Sequence, residues 1–287
     1  HPRVRRQRQM CIRDRYLGAK KQKNVVQVVG VAILLNLVLG LVVSTILHYG
    51  APLLLTLMGL RPELMVYGVG YMEIVGAFAF FQALSLTVSA SLRSANKAVY
   101  PMMVIVVVNI LNIIGNYSLI FGKFGMPALG VEGAAISTAF ARGVSMIILF
   151  IILFRKYIPK FPIDYFRPFP FVELKNLLKI GLPSAGENMS YSLSQVLLTY
   201  FINMLGNEAL TTRTYVVNMV MFVYLFAIAM AQGGAICIGH LVGEKKIRAA
   251  YLLGKYVMRI SILVSLVLSC IWALMGHTLF SLSLIHI

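Results

Sequence analysis

The sequence is poor in charged residues, which make up 12% of its 287 positions, whereas 59% are hydrophobic and the mean hydropathy is +0.84. A typical soluble domain is about one-quarter charged, and a soluble fold of this length could not bury so much apolar sequence. The shortage of charge therefore excludes an ordinary soluble fold. Because a membrane-spanning helix needs about 20 apolar residues, the sequence predicts an all-α integral membrane protein, a multi-span helical bundle.

Acidic residues are scarcer still, with 9 Asp and Glu against 26 Lys and Arg and a formal net charge of +17. A basic balance is also found in nucleic-acid-binding proteins. Outside residues 1–15, however, nearly all the basic side chains lie in short connectors between apolar segments. That distribution is typical of cytoplasmic loops. It argues against nucleic acid as a partner and predicts a multi-pass protein of the cell membrane, in contact with lipid.

Cysteine and histidine are also few. The three cysteines, Cys11, Cys237 and Cys270, are far apart, which argues against a disulfide framework or a zinc site. None of the five histidines has a cysteine or carboxylate at ligand spacing, and the sequence has no glycine-rich phosphate loop and no serine nucleophile elbow. These absences disfavour an enzyme, and we expect no cofactor and no stable metal site.

Seven apolar segments have the length of membrane-spanning helices. They are Val25–His48, Leu64–Leu92, Tyr100–Phe121, Ala134–Phe154, Leu177–Leu205, Tyr215–Leu241 and Ala249–Met275. Every second connector is basic, beginning with the lysines that precede the first segment. Because Lys and Arg accumulate on the cytoplasmic side, this alternation predicts that the basic loops are cytoplasmic.

The longest connector, residues 157–171, reads YIPKFPIDYFRPFPF and is rich in proline. Proline cannot continue a helix and restricts the residue before it. We therefore expect this cytoplasmic loop to separate two lobes. The predicted first lobe is residues 16–156, with four spans, and the predicted second lobe is residues 172–282, with three spans.

A short repeat supports this division, because LGAKK at Leu17–Lys21 recurs as VGEKK at Val242–Lys246, each ahead of a span. Internal repeats are common in transporters. A full span precedes the second copy, but only HPRVRRQRQMCIRDR precedes the first. Since this leader and the ending SLSLIHI resemble translated adapter sequence, we expect residues 1–15 and 283–287 to be non-native. An authentic basic arm is the alternative for the leader.

Polar residues in the fifth predicted span, IGLPSAGENMSYSLSQ, form the first candidate site. The residues at spacings of three and four, on one helical face, are Ser184, Glu187, Asn188, Tyr191, Ser194 and Gln195. Pro183 and Gly186 lie beside them, where a helix can bend and expose carbonyl groups. An acid within a span is costly unless it faces a cavity or a partner. Glu187 could exchange a proton or bind Na⁺ with its neighbours, whereas a hydrogen-bonded helix seam is the alternative.

The third predicted span carries a second candidate site. Asn109, Asn112 and Asn116 lie on one helical face. Three amides facing lipid would be costly, so we expect this face to look inward. Contact with a cation or substrate and simple helix–helix hydrogen bonding are both consistent with the pattern.

Several stretches, taken in order, resemble the multidrug and toxic compound extrusion (MATE) family. They are the LGAKK and VGEKK pair, SASLRSANKAVYPM (Ser89–Met102), NILNIIGNYSLIFG (Asn109–Gly122), LGVEGAAISTAFAR (Leu129–Arg142) and LLKIGLPSAGE (Leu177–Glu187). The resemblance covers residues 16–282 and implies part of a two-lobe, twelve-helix transporter with pseudo-symmetric halves. It implies a monomeric antiporter that exports cationic or amphiphilic compounds in exchange for Na⁺ or H⁺ by alternating access of the lobes.

The resemblance also implies site residues. Asn112 and Asn116 match the family's paired asparagines near a first-lobe cation site, so transient Na⁺ is expected near Asn112 or Glu187. In many members the second-lobe acid stands at the position of Tyr191, whereas here the acid, Glu187, comes one turn earlier. The family's first-helix aspartate has no counterpart in this sequence.

Two other functions compete with the antiporter. A flippase for lipid-linked precursors, from the same superfamily, would favour a cationic cavity, but arginines are few in the predicted spans, with Arg142 inside the fourth and Arg213 near the end of the sixth. A seven-span receptor is disfavoured by the internal repeat and by the cytoplasmic entry into the first span.

Overall fold

The structure is a computed structural model that describes residues 22–57, 62–158, 169–204 and 207–284, and every regular element in these ranges is helical. The helices are α1 (Gln22–Leu57), α2 (Pro62–Ala77), α3 (Ala79–Ser94), α4 (Val99–Phe121), α5 (Gly130–Ile152), α6 (Phe171–Asn203), α7 (Asn207–Gly243) and α8 (Ile247–Leu284). A short π-helical segment, Leu153–Tyr157, follows α5. The all-helical fold predicted from composition is confirmed.

Five helical stretches in these ranges are long and apolar enough to cross a membrane. They are Lys23–Leu57, Val99–Phe121, Gly130–Arg155, Thr212–Gly243 and Ile247–Ile271. Helices α2 and α3 are bent by 46° where they meet and add a sixth crossing if the pair is one span. The second predicted span is therefore two helices rather than one.

The fifth predicted span, Leu177–Leu205, is helical as far as Asn203 but is not among these apolar stretches. It corresponds to α6, which continues through Pro183. The polar residues that make α6 a candidate site also lower its hydropathy. Proline lacks an N–H, so the carbonyl of Lys179 has no donor from the next turn.

The chain divides into two compact units, and the N-terminal unit is Lys21–Leu177. In it α4 packs on α5, α1 packs on α2 and α3, and α2 and α3 both contact α5. Val29, Val88, Leu92 and Leu149 are fully buried at these contacts. Small residues permit the close approach, because a Cβ on Gly133 would lie 2.5 Å from the carbonyl oxygen of Leu119.

The C-terminal unit begins at Leu178 and contains most of α6 together with α7 and α8. Helix α7 packs against α8, and the buried residues in this part of the chain, Gly234, Gly239 and Ala250, are all small. A Cβ on Gly234 would lie 2.9 Å from a methyl carbon of Val257. Along α6, every side chain from Gly181 to Ser194 is exposed.

Several sequence predictions concern residues outside the described ranges. These are the non-native leader at residues 1–15, the first repeat copy at Leu17–Lys21, most of the proline-rich loop, and the last three residues of the predicted tail. They stay predictions. The second repeat copy is described: it joins α7 to α8, and its Glu244 carboxylate lies 2.8 Å from the Lys246 ammonium.

Candidate functional site

Two of the predicted residues, Asn112 and Asn116, lie one turn apart on α4 and are half-buried against α5. The Asn116 amide donates a hydrogen bond to the Asn112 side-chain carbonyl over 3.1 Å. The Asn112 amide in turn donates to the Thr138 hydroxyl over 3.4 Å, and the Ser137 hydroxyl donates to the Asn112 backbone carbonyl over 3.2 Å. We call Asn112, Asn116 and Thr138 the asparagine cluster.

The side-chain carbonyl oxygen of Asn116 is buried and accepts no hydrogen bond from the described part of the chain. A buried carbonyl oxygen without a donor is costly, because it has lost its water and gained nothing in exchange. Oxygen atoms of this kind are suitable ligands for Na⁺ or acceptors for a protonated ligand. The asparagine cluster therefore has one acceptor to offer beyond its internal hydrogen bonds.

A cavity of about 400 Å³ opens beside the asparagine cluster, between α3, α4 and α5. Its polar lining residues are Gln82, Ser85, Ser89, Arg93, Asn109, Asn112, Thr138, Arg142 and Ser145. Two of them are arginines, and no acidic side chain lines the cavity within the described ranges. We call this space the arginine cavity.

The sequence analysis did not predict that Arg93 and Arg142 line the same cavity. Because the second predicted span ends at Leu92, Arg93 falls in the basic connector that follows it, but in the structure it is the penultimate residue of α3 and lines the same cavity as Arg142. A signal for this exists in the sequence, because Gln82, Ser85, Ser89 and Arg93 follow helical spacings along α3. That polar face could have been read in the same way as the face on α6.

The predicted residues on α6 are placed differently from the asparagine cluster. Glu187, Asn188 and Tyr191 are exposed, and the Asn188 amide donates to the backbone carbonyl of Ser184 in its own helix over 2.9 Å. Glu187 makes no side-chain hydrogen bond or ion pair within the described ranges. These three residues share the part of the predicted face that no helix covers in the described part of the C-terminal unit.

Gln195, the last predicted residue, is half-buried against α7. The Arg213 guanidinium donates to the side-chain carbonyl of Gln195 over 3.0 Å, and its other terminal nitrogen donates to the Thr199 hydroxyl. The side-chain carbonyl oxygen of Gln195 therefore already accepts a hydrogen bond from a cationic side chain of the protein. The structure brings Asn112 together with Asn116, and Gln195 together with Arg213.

Comparisons with known proteins agree on one family. The family model described as MatE matches residues 14–118 and 183–284. The chain is 41% identical over 238 residues to an uncharacterized transporter, YisQ, of Bacillus subtilis, a match that covers 83% of this chain and 52% of that protein. It is 27% identical over 218 residues to a probable multidrug resistance protein, NorM, of Thermotoga maritima, covering 75% of this chain and 47% of that protein.

A solved structure also has the same fold. A MATE crystal structure in the bent conformation superposes with a TM-score of 0.82 at 23% identity, covering 94% of this chain and 60% of the solved one. At that identity the likeness shows the fold alone. The chain spans about half the length of the curated relatives that it matches.

Proposed function

The chain belongs to the MATE family of multi-pass membrane transporters, which are not enzymes, and we propose that it works within a secondary antiporter. The antiporter exports cationic or amphiphilic compounds in exchange for Na⁺ or H⁺. The multidrug resistance names of relatives such as the Thermotoga maritima NorM protein support this substrate class. Inward ion flow supplies the free energy, and the two lobes expose the site alternately to each side of the membrane.

The observation that carries this proposal is the position of Glu187. It is the middle residue of α6, with sixteen helical residues on either side. With α6 taken as the fifth predicted span, a carboxylate at its centre is stable only beside a cavity, a proton or a cation. Asn188 and Tyr191 lie on the same face and carry oxygen atoms that could complete a Na⁺ shell.

The asparagine cluster is the proposed first-lobe contribution to ion coupling. The Asn116 carbonyl oxygen is buried without a donor in the described ranges, so it can accept a bond from a bound cation. The amides of Asn112 and Asn116 hold one another in place through the 3.1 Å hydrogen bond. A fixed oxygen needs little rearrangement when an ion enters, which favours binding.

Gln195 has a weaker part in this scheme than the sequence predicted. Its carbonyl oxygen accepts a hydrogen bond from Arg213. A guanidinium at that distance repels a second cation. We therefore propose that Gln195 orients α6 against α7, whereas Glu187, Asn188 and Tyr191 meet the coupling ion.

Ion-driven efflux in a full-length transporter with these residues tests the proposal. Glu187→Gln removes the charge but keeps the shape, and we expect ethidium efflux to fall to background while expression stays intact. The matched control is Glu63→Gln, because Glu63 is an exposed acid in the first turn of α2. Imposing a Na⁺ gradient and a pH gradient separately identifies the coupling ion. Unchanged efflux in Glu187→Gln would remove this residue from the mechanism.

A further inference from the structure

We propose that the arginine cavity of the N-terminal unit binds a phosphate group, either the headgroup of an amphiphile or phosphate free in solution. This goes beyond the antiporter proposed above and does not depend on it. Arg142, Arg93 and Ser85 are the residues that carry the inference, and all three line the cavity.

The charge of Arg142 favours an anion in the cavity. Arg142 is the thirteenth of the 23 residues of α5, a helix apolar enough to span a membrane. An arginine at such a depth is costly unless an anion lies near it. The acid nearest to it along α5, Glu132, is ten residues earlier, which at the rise of an α-helix is about 15 Å away. Within the described ranges Arg142 has no hydrogen bond and no ion pair.

The cavity also supplies hydrogen-bond donors that suit a phosphate group. A guanidinium only donates hydrogen bonds, and its planar fork matches the oxygens of a phosphate. Ser85 is 7% exposed, and its hydroxyl oxygen is buried with no hydrogen-bond partner in the described ranges. Because buried hydroxyl groups are normally hydrogen-bonded, this one indicates a ligand atom in the cavity. A negatively charged ligand rich in acceptors satisfies Ser85 and Arg142 together, and Arg93 adds positive charge to the same cavity.

The positions of the two arginines indicate how a ligand reaches the cavity. Arg93 is at the end of α3, next to the turn that leads into α4, whereas Arg142 is near the middle of α5. The cavity therefore extends from the α3–α4 end of the helices into the span. Exposed Lys97 in the same turn adds a positive charge at this end. A volume of about 400 Å³ is within the range of small-ligand sites.

Calorimetric binding to a purified full-length transporter carrying these residues, held in an uncharged detergent, tests the inference. The probes are monododecyl phosphate, inorganic phosphate, and dodecyltrimethylammonium, which has the same tail with the opposite charge. We expect monododecyl phosphate to bind, the ammonium probe not to compete with it, and Arg142→Gln to weaken binding about tenfold or more. Arg155→Gln is the matched control, because Arg155 is exposed beyond α5, and it should bind as the wild type does.

The inorganic phosphate arm separates the two sources. If inorganic phosphate binds and Arg142→Gln weakens that binding too, the ligand of the cavity is soluble phosphate. If only monododecyl phosphate binds, the ligand is the headgroup of an amphiphile. Both outcomes support the site. The proposal is overturned if neither phosphate probe binds, if Arg142→Gln binds as tightly as the wild type, or if Arg155→Gln loses as much affinity. Efflux is not part of this readout, so failure of the antiporter proposal leaves the result intact.

Ser85→Ala provides the second variant if Arg142→Gln does not fold. Removing a buried hydroxyl without a partner should leave the midpoint of thermal unfolding unchanged or raise it. The same change should weaken monododecyl phosphate binding by several-fold, because one hydrogen bond to the ligand is lost. Unchanged affinity in Ser85→Ala would then overturn the proposal.

Discussion

The two units of the chain carry similar polar residues but bury them to different extents. In each of the three long apolar stretches of the N-terminal unit, 11% to 33% of the residues in an 18-residue apolar window are buried, against none in the corresponding windows of the two stretches of the C-terminal unit. Asn112 and Asn116 are held between α4 and α5, whereas Glu187 and Asn188 are exposed on α6. The same kind of sequence pattern, a polar face on a helix, therefore has two different structural outcomes.

This difference separates two roles for polar groups in a membrane protein. In the N-terminal unit the amides bond to one another and to the neighbouring helix, so they contribute to packing as well as to a site. On α6 the acid and its neighbours have few bonds inside the described chain. Their interactions are left for an ion, a substrate or other helices.

The largest expected contrast comes from one substitution made in each unit. In Gly133→Ala the new Cβ would lie 2.5 Å from the Leu119 carbonyl oxygen, so α4 and α5 must separate, at a cost of about 1–3 kcal/mol. In Gly186→Ala nothing lies within 4 Å, and the change should stabilise the helix by about 0.5–1 kcal/mol. Thermal unfolding in detergent measures both. Equal destabilisation would show that α6 is packed at Gly186 and would remove the contrast.

A smaller contrast is expected between two asparagines. Asn112→Ala removes one hydrogen bond to Thr138 and another from Asn116, and we expect a loss of about 1 kcal/mol, as for other bonds between membrane helices. Asn188→Ala removes only a bond within its own helix and should cost less than about 0.5 kcal/mol. The measurement is the free energy of unfolding in mixed micelles. If Asn188→Ala were the costlier change, the exposed face of α6 would be a structural seam.

The smallest effect is expected at the exposed ion pair between α7 and α8. The hydrogen bond from Lys246 to Glu244, and then the carboxylate charge, raise the pKa of Lys246. An ion pair that raises a lysine pKa stabilises the folded chain at every pH below the lysine pKa of the unfolded chain. This stabilisation is lost only as the pH rises through the higher lysine pKa of the folded chain. The unfolding midpoints of Glu244→Gln and of the wild type should therefore be nearly equal at every pH from about 6 to about 8, because an exposed ion pair contributes little to stability. A clear drop for Glu244→Gln would mean that this turn stabilises the C-terminal unit.

The sequence predicted where most helices lie, but several run farther than predicted: α1 ends at Leu57 rather than His48, and α7 begins at Asn207 rather than Tyr215. The fourth predicted span, Ala134–Phe154, falls within the described stretch Gly130–Arg155, and Tyr100–Phe121 nearly coincides with α4. Apolar length decides such segments, because a helix satisfies its own backbone hydrogen bonds. The break between α2 and α3 was missed, since the residues around it read VGAFAFF (Val75–Phe81) and contain no proline and no charge that would mark a bend.

The candidate site was only partly predictable. Helical spacing placed Asn112 and Asn116 on one face of α4. It could not identify Thr138 as their neighbour, because the sequence does not show how the connector between α4 and α5 orients the two helices. For the same reason the sequence paired no residue with Arg142, and Arg93 was assigned to a loop. Gln195 was grouped with Glu187 by spacing, whereas its hydrogen bond to Arg213 comes from a different helix.

The sequence by itself determined that this protein is a helical membrane protein, which segments form its helices, and, through several ordered stretches, that it resembles the MATE family. These properties depend on local composition and on residues near one another in the chain. The tertiary structure alone decided which polar side chains meet: Asn112 with Thr138, Gln195 with Arg213, and Arg93 with Arg142 around one cavity. The physical reason is that contacts between helices depend on how their faces pack, and close approaches such as Gly133 against Leu119 set that packing.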